Sequence, residues 1–205
     1  MKKIYLLTII SLLIISCEKE SGPTFINGSV KDKTTNAGIA NADVGLFETD
    51  GESAFGLGGV LIDEIYSDAA GKFTFDFEAR NGYSYYVQAI KDQYWNNQTD
   101  NITFVDDTGG ETDVIVYLHP EGWLKLTIRD TMPFTINTEF RMTPFNGSFW
   151  VSATELDTIL TGVIFGNQYK PLYWVLEDFT TSGIETYTDS IYCPAFDTTY
   201  YEILY

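Results

Sequence analysis

The chain offers few side chains for covalent chemistry. His119 is its only histidine, and Cys193 is one of two cysteines. A nucleophile and its base must lie within hydrogen-bond reach of each other, yet these two are far apart in sequence and His119 directly precedes Pro120. The simpler expectation is a boundary histidine and a buried free thiol. Four acids, Asp106, Asp107, Glu111 and Asp113, crowd the stretch Asp-Asp-Thr-Gly-Gly-Glu-Thr-Asp. Hard oxygen ligands at that density suit Ca²⁺, although the spacing is not that of a twelve-residue calcium loop. Gly109-Gly110 as a hairpin turn between two strands is the simpler account. Tyr94, Trp95, Asn96 and Asn97, followed by Gln98, set flat rings beside amides. That pairing suits a sugar, because a ring covers C–H faces while amides bind hydroxyls. The competing account has Trp95 capping the fold. Gly56-Leu57-Gly58-Gly59 has the wrong spacing for a phosphate loop and is followed by a strand pattern rather than a helix.

Composition narrows the partners. Lys and Arg number 12 against 29 Asp and Glu, a formal charge of −17. A surface this acidic repels nucleic acid and anionic headgroups, so nucleic-acid binding is disfavoured. Hydrophobic residues at 44% make a packed core feasible and wholesale disorder unexpected.

The amino terminus carries an address. Met1-Lys2-Lys3 is basic, and Ile4 to Ile15 is apolar apart from Thr8 and Ser11. As a helix this run spans only about 18 Å, short of a hydrocarbon core of about 30 Å, so it reads as the apolar region of a signal peptide. Ile14-Ile15-Ser16-Cys17 resembles the lipobox of bacterial lipoproteins. The resemblance implies diacylglycerol on the Cys17 thiol, cleavage after residue 16, and acylation of the new amino terminus. Two or more chains are needed for a durable hold on a membrane. Residues 17–23 then read as a lipidated cysteine and a polar tether. The acids behind Cys17 resemble a surface-export signal of some Gram-negative lipoproteins, which implies an outer-membrane protein facing outward. With Cys17 lipidated, Cys193 lacks an intramolecular partner, so a disulfide scaffold is excluded.

Residues 24–119 alternate apolar and polar with turn residues between, the pattern of short half-buried strands. Apolar faces fall at Ile26, Gly28 and Val30, at Ala42, Val44 and Leu46, at 60–66, at Phe73, Phe75 and Phe77, at Tyr85, Val87 and Ala89, at Ile102 and Phe104, and at Val114, Val116 and Leu118. Seven such strands predict a β-sandwich. Asp68-Ala69-Ala70-Gly71 carries the residues of a type I turn. Gly28-Ser29-Val30-Lys31-Asp32, the loop into Asn41-Ala42-Asp43-Val44, the turn 67–73 and the strand leading to Tyr94 together resemble the carboxypeptidase regulatory-like domain. That family implies a seven-stranded prealbumin-like sandwich without catalytic function. Asn36 and Asn41 stand where the family favours Gly, and Asn tolerates the left-handed region.

Pro120 marks a boundary. Beyond it, strands are expected at 123–128, 138–143, 147–151, 158–165, 170–177, 183–192 and 198–205, with Ser152-Ala153-Thr154-Glu155 as a capping box for one helical turn. The expectation is all-β: a signal peptide at 1–16, then two tandem sandwiches at 24–119 and 120–205. Asp followed by Thr or Ser and then an aliphatic residue, Met or Thr, at Asp130, Asp157, Asp189 and Asp197, resembles an O-glycosylation signal of exported proteins. The leading function is a non-catalytic, membrane-anchored envelope module that needs no cofactor and binds a glycan or a protein, or acts as a spacer. The rival is a hydrolytic or metal-dependent enzyme with its site in the second sandwich.

Overall fold

The computed structural model describes residues 21–50, 58–96, 101–131, 137–145 and 151–205. The signal segment and Cys17 therefore lie outside the described residues, as do most of the 50–59 loop, Asn97, Gln98 and most of the expected 147–151 strand. Among the described residues the regular elements are all strands. The first seven are β1 (Gly22–Asp32), β2 (Asp43–Thr49), β3 (Val60–Tyr66), β4 (Lys72–Ala79), β5 (Ser84–Ile90), β6 (Ile102–Val105) and β7 (Glu111–Leu118). They form two sheets, in the orders β4-β1-β7 and β3-β2-β5-β6. The next seven are β8 (Glu121–Arg129), β9 (Thr138–Met142), β10 (Val151–Ala153), β11 (Asp157–Phe165), β12 (Gln168–Asp178), β13 (Gly183–Cys193) and β14 (Thr198–Leu204). Their sheets run β11-β8-β14 and β10-β9-β12-β13.

Adding seven to each label of the first pair of sheets gives the second pair. The senses agree as well. β1 lies between an antiparallel β4 and a parallel β7, and β8 between an antiparallel β11 and a parallel β14. The chain thus builds one strand order twice.

Each half closes over its own core. Ile26, Val44, Leu46, Phe75, Tyr85 and Val116 are buried in the first, and Leu124, Leu126, Ile128, Phe140, Met142 and Leu172 in the second. Each side chain of this size contributes about 1.5–3 kcal/mol on burial. Period-two alternation made these positions legible, because strand side chains alternate between faces. The 67–73 turn forms as its residues dictate. The Asp68 carboxylate accepts from the Ala70 and Lys72 amides at 2.8 Å, and Gly71 takes φ 76°. Asn36 and Asn41 occupy the left-handed region at φ 61° and 52°.

Several expectations are corrected. Gly109-Gly110 does not turn a hairpin: β6 pairs with β5 while β7 pairs with β1, so residues 106–110 cross from one sheet to the other. The crossing is tied down by the Gly109 amide donating to Thr24 Oγ1 at 2.8 Å. In β6 the inward face is offset by one residue, with Val105 buried and Phe104 45% exposed against Tyr86. β3 has no buried face at all. It overhangs because a four-stranded sheet faces one of three. Ser152–Glu155 forms no helical turn, since β10 ends at Ala153 and Glu155 takes φ 51°. Gly22 and Pro23, expected in the tether, already pair with Ala79 and Glu78.

Gly28 faces Phe73 across β1 and β4, and a Cβ there would fall 2.0 Å from the Phe73 ring. Gly110 has open space around its Cβ direction. Urea denaturation should therefore find Gly28→Val destabilised by about 1–3 kcal/mol, the cost of overpacking a core. Gly110→Ala should stay within about 0.5 kcal/mol of wild type.

Candidate functional site

The residues the sequence singles out converge on the joint between the two halves. β7 ends at Leu118 and β8 begins at Glu121, leaving His119 and Pro120 as the connection. The 91–96 segment straps across it. Glu121 donates its amide to the Gln93 carbonyl at 2.8 Å, and Trp95 its amide to the His119 carbonyl at 2.9 Å. Gln93 reaches this geometry at φ 67°. The second half contributes the Gly166 amide to the Pro120 carbonyl at 2.8 Å and the Phe196 amide to the Glu121 carbonyl at 2.7 Å. Asn167 bridges the halves: its amide nitrogen donates to Thr34 Oγ1 at 3.0 Å, and its oxygen accepts from the Ala195 amide at 3.0 Å.

Rings fill the space between these bonds. Trp95 packs on Phe165 with centroids 4.8 Å apart, and its indole N–H donates to the Ile164 carbonyl at 3.3 Å. His119 lies on the same Phe165 ring at 4.9 Å. Tyr94 meets Phe196 edge-on at 5.4 Å, and its hydroxyl donates to Asp32 at 3.3 Å. Burial, reinforced by the Asp32 charge, pushes the Tyr94 phenol up to about 12. Burial also tends to raise the Asp32 carboxyl, but hydrogen bonds from Thr34 and Thr35 outweigh it and hold it below the usual range.

Tyr94 and Trp95 are half-buried and each packs on a ring of the second half, which is the capping role weighed for Trp95. Asn96 is exposed and accepts from Asn101 at 3.5 Å. The other amides of that stretch lie outside the described residues.

The remaining candidates do not converge. Asp106 and Asp107 sit in the crossing loop, while Glu111 and Asp113 point outward from β7, where Glu111 accepts from Asn27 at 2.6 Å. Among the described residues, no group of three or more His, Cys, Asp or Glu side chains is placed to hold a metal ion. The expected calcium set is thus split between a loop and a strand. Cys193 is the buried free thiol expected of it. Burial pushes its thiol up, away from the thiolate that would attack, and His119 is packed in the joint instead. A cavity of about 230 Å³ lies beside the joint, lined by Ile164, Phe165, Gln168, Tyr169, Lys170 and Pro171. Burial lowers the Lys170 ammonium.

A second buried carboxylate belongs to the scaffold. Glu48, on β2, takes the guanidinium of Arg80 in two-pronged contact and the Tyr85 hydroxyl at 2.8 Å. The Arg80 hydrogen bonds hold its carboxyl below the usual range against a counteracting burial.

Sequence reasoning missed Phe165, Asn167 and Phe196, the second half's share of the joint. The dipeptide Gly166-Asn167 between two apolar runs is the one local signal of a tight turn there.

No family model matches the chain, and no curated protein matches it. Solved structures do resemble it. The minor pilin GBS52 of the Gram-positive pathogen Streptococcus agalactiae aligns with 14% identity over 90% of this chain and 95% of its own, with a TM-score of 0.41. The Bacillus anthracis TIE protein aligns with 14% identity over 89% of this chain and a TM-score of 0.40. A streptococcal ancillary pilin aligns with 12% identity over 89% of this chain and a TM-score of 0.38. The matched part is 34% of the TIE chain and 62% of the ancillary pilin.

Four outcomes are expected. Trp95→Ala should cost about 2 kcal/mol in urea denaturation, less than a fully buried Trp because the ring is half-buried. Combined with Phe165→Ala it should be non-additive by about 1 kcal/mol, the size of a direct ring pair. Because the Glu48 carboxyl is lowered in the fold, its stabilisation is present above the ordinary carboxylate range and lost as pH falls through and below it. Glu48→Gln should therefore flatten the loss of stability that wild type shows on acidification below about pH 4.5. Finally, Cys193 should resist a thiol-alkylating reagent in the native protein and react on denaturation, as followed by mass spectrometry.

Proposed function

We propose that the chain is a non-catalytic, lipid-anchored module of the bacterial envelope, facing outward from the outer membrane. In this reading it comprises two tandem prealbumin-like domains, the first of the carboxypeptidase regulatory-like kind, and acts as a spacer. The observation that carries the proposal is one of direction. β1 and β7 run parallel, with Phe25 opposite Glu111 and Asp32 opposite Leu118. Gly22 therefore lies at the end of the first sandwich away from the joint. β8 leaves the joint and β14 runs parallel to it, so the far end of the second sandwich carries Arg129 and Leu204. A lipid on Cys17 then attaches the chain at one extremity and presents the second sandwich at the other, with a bonded joint between them. Each sandwich contributes roughly 25–30 Å of strand length at about 3.3 Å per residue. The spacer reading takes precedence over glycan recognition because the joint consumes the Tyr94 and Trp95 rings. It takes precedence over catalysis because the nucleophile is buried and the histidine is packed.

Expressed in a Gram-negative host, wild type should fractionate with membranes, with Cys17 as its acylated first residue by mass spectrometry. Cys17→Ala should carry no acyl mass, retain residues 1–16 and be missing from the outer-membrane fraction. Outer-membrane localisation of the variant equal to wild type, or an uncleaved wild type, would overturn the anchor.

A further inference from the structure

The second sandwich carries an unguarded sheet edge. β13 is the longest edge strand among the described residues, and all eleven of its residues pair with β12 without a register shift. Among the described residues its outer side has no strand neighbour. Residues 183–190 are exposed without interruption. The cause is architectural: β13 is the outermost strand of a four-stranded sheet lying over a three-stranded one.

Edge strands leave half their amides and carbonyls pointing at solvent, and natural proteins blunt them with bulges, short length, Pro or Lys. The corresponding edge of the first sandwich, β6, has four residues, and β10 has three. β3 is broken by a bulge opposite Leu46 and Phe47. β13 reads Gly-Ile-Glu-Thr-Tyr-Thr-Asp-Ser-Ile-Tyr-Cys, rich in strand-favouring residues and without Pro or Lys. It has no bulge, is not short and lacks Pro and Lys; the charges it does carry, Glu185 and Asp189, guard it against acidic strands and leave it open to basic ones.

The two faces of β13 say what fits. One carries Ile184, Thr186, Thr188, Ser190 and Tyr192, with no charge. The other alternates Glu185, Tyr187 and Asp189. A second copy pairing antiparallel about Thr188 would bring both copies' Glu185 and Asp189 to diagonal positions about 7–8 Å apart. It would also bring together two bodies that each carry −17. A strand with Lys or Arg on the matching face removes both penalties and is steered in by the net charge.

We propose that β13 is a docking edge for an extended, basic polypeptide segment, which adds to the sheet as a fifth strand beside Gly183–Cys193. Backbone hydrogen bonds supply the ladder. Glu185 and Asp189 select Lys or Arg at alternate positions, and the opposite face accepts small hydroxylated or apolar residues. The site needs only the fold and does not depend on the lipid anchor.

The test uses full-length protein in a non-ionic detergent and three synthetic peptides of about nine residues. The first alternates Lys with Thr, the second alternates Glu with Thr, and the third is the Lys peptide N-methylated on alternate backbone nitrogens, which keeps the charge and removes the ladder. Fluorescence anisotropy should detect the Lys peptide, with affinity falling about tenfold from low to high salt. The N-methylated peptide should bind at least about tenfold more weakly, in line with several lost backbone hydrogen bonds. The Glu peptide should not bind. Hydrogen exchange should show new amide protection in residues 183–193, and Glu185→Lys should weaken the Lys peptide about fivefold or more, a change expected of a close charge reversal. Equal binding by the N-methylated peptide would reduce the site to electrostatic adsorption and overturn the proposal. So would binding of the Glu peptide, absence of any binding, or protection at another edge. Concentration-dependent self-association mapped to β13 would assign the edge to a second copy instead.

Discussion

Two residues join the halves of this protein, and that short distance constrains the rest. With only His119 and Pro120 between β7 and β8, the end of one sandwich must sit against the start of the next. Every polar backbone group brought there has to find a partner away from water. The strap at 91–96, the turn at 166–167 and the bend at 194–196 supply those partners, and three of their residues, Gln93, Asn167 and Phe196, accept left-handed backbone to do so. The rings of Trp95, Phe165, His119, Tyr94 and Phe196 then pack against one another beside those bonds. A longer linker would have removed the need for any of this. The joint is therefore a construction in its own right, assembled from loops that each sandwich carries at the same end.

The repeated strand order places the differences between the halves where they matter. Both present a four-stranded sheet to a three-stranded one, so both have overhanging outer strands. In the first half the overhang at β6 is short, and Thr103 there donates to the Ile115 carbonyl of β7 at 2.8 Å. In the second the hairpin of β12 and β13 extends beyond the reach of β9, which pairs only from Trp174 to Asp178. Pro171 falls in the stretch of β12 that β9 does not reach. One topology thus yields a closed sandwich and an open one, according to how far two strands are drawn out.

Most of the strand positions were legible in the sequence, because period-two alternation and turn residues act locally. Phe73 and Phe75, or Leu124, Leu126 and Ile128, announce an inward face without knowledge of their neighbours. What escaped was set by tertiary placement. Gly109-Gly110 has the chemistry of a hairpin turn and serves a crossing between sheets, a choice made by β1, which accepts β7 as a parallel neighbour. The face of β6 was misplaced because Phe104, the larger apolar residue, packs against Tyr86 outside while Val105 takes the core. Trp95 invites a ligand on its own, and only the presence of Phe165 from the other half, 70 residues away in sequence, shows where its face is spent. Local pattern found the strands; the joint and the bare edge required their assembly.

The parallel pairing of first and last strands in each sandwich also has a mechanical meaning. Force entering at Gly22 and leaving at Leu118 pulls β1 and β7 past one another along their length, and the same holds for β8 and β14 between Glu121 and Leu204. Such a load falls on all the rungs of a ladder together instead of opening them one after another as in a zipper. A molecule stretched between its two ends would meet its greatest resistance where the central strand of each three-stranded sheet is laced to its parallel edge neighbour.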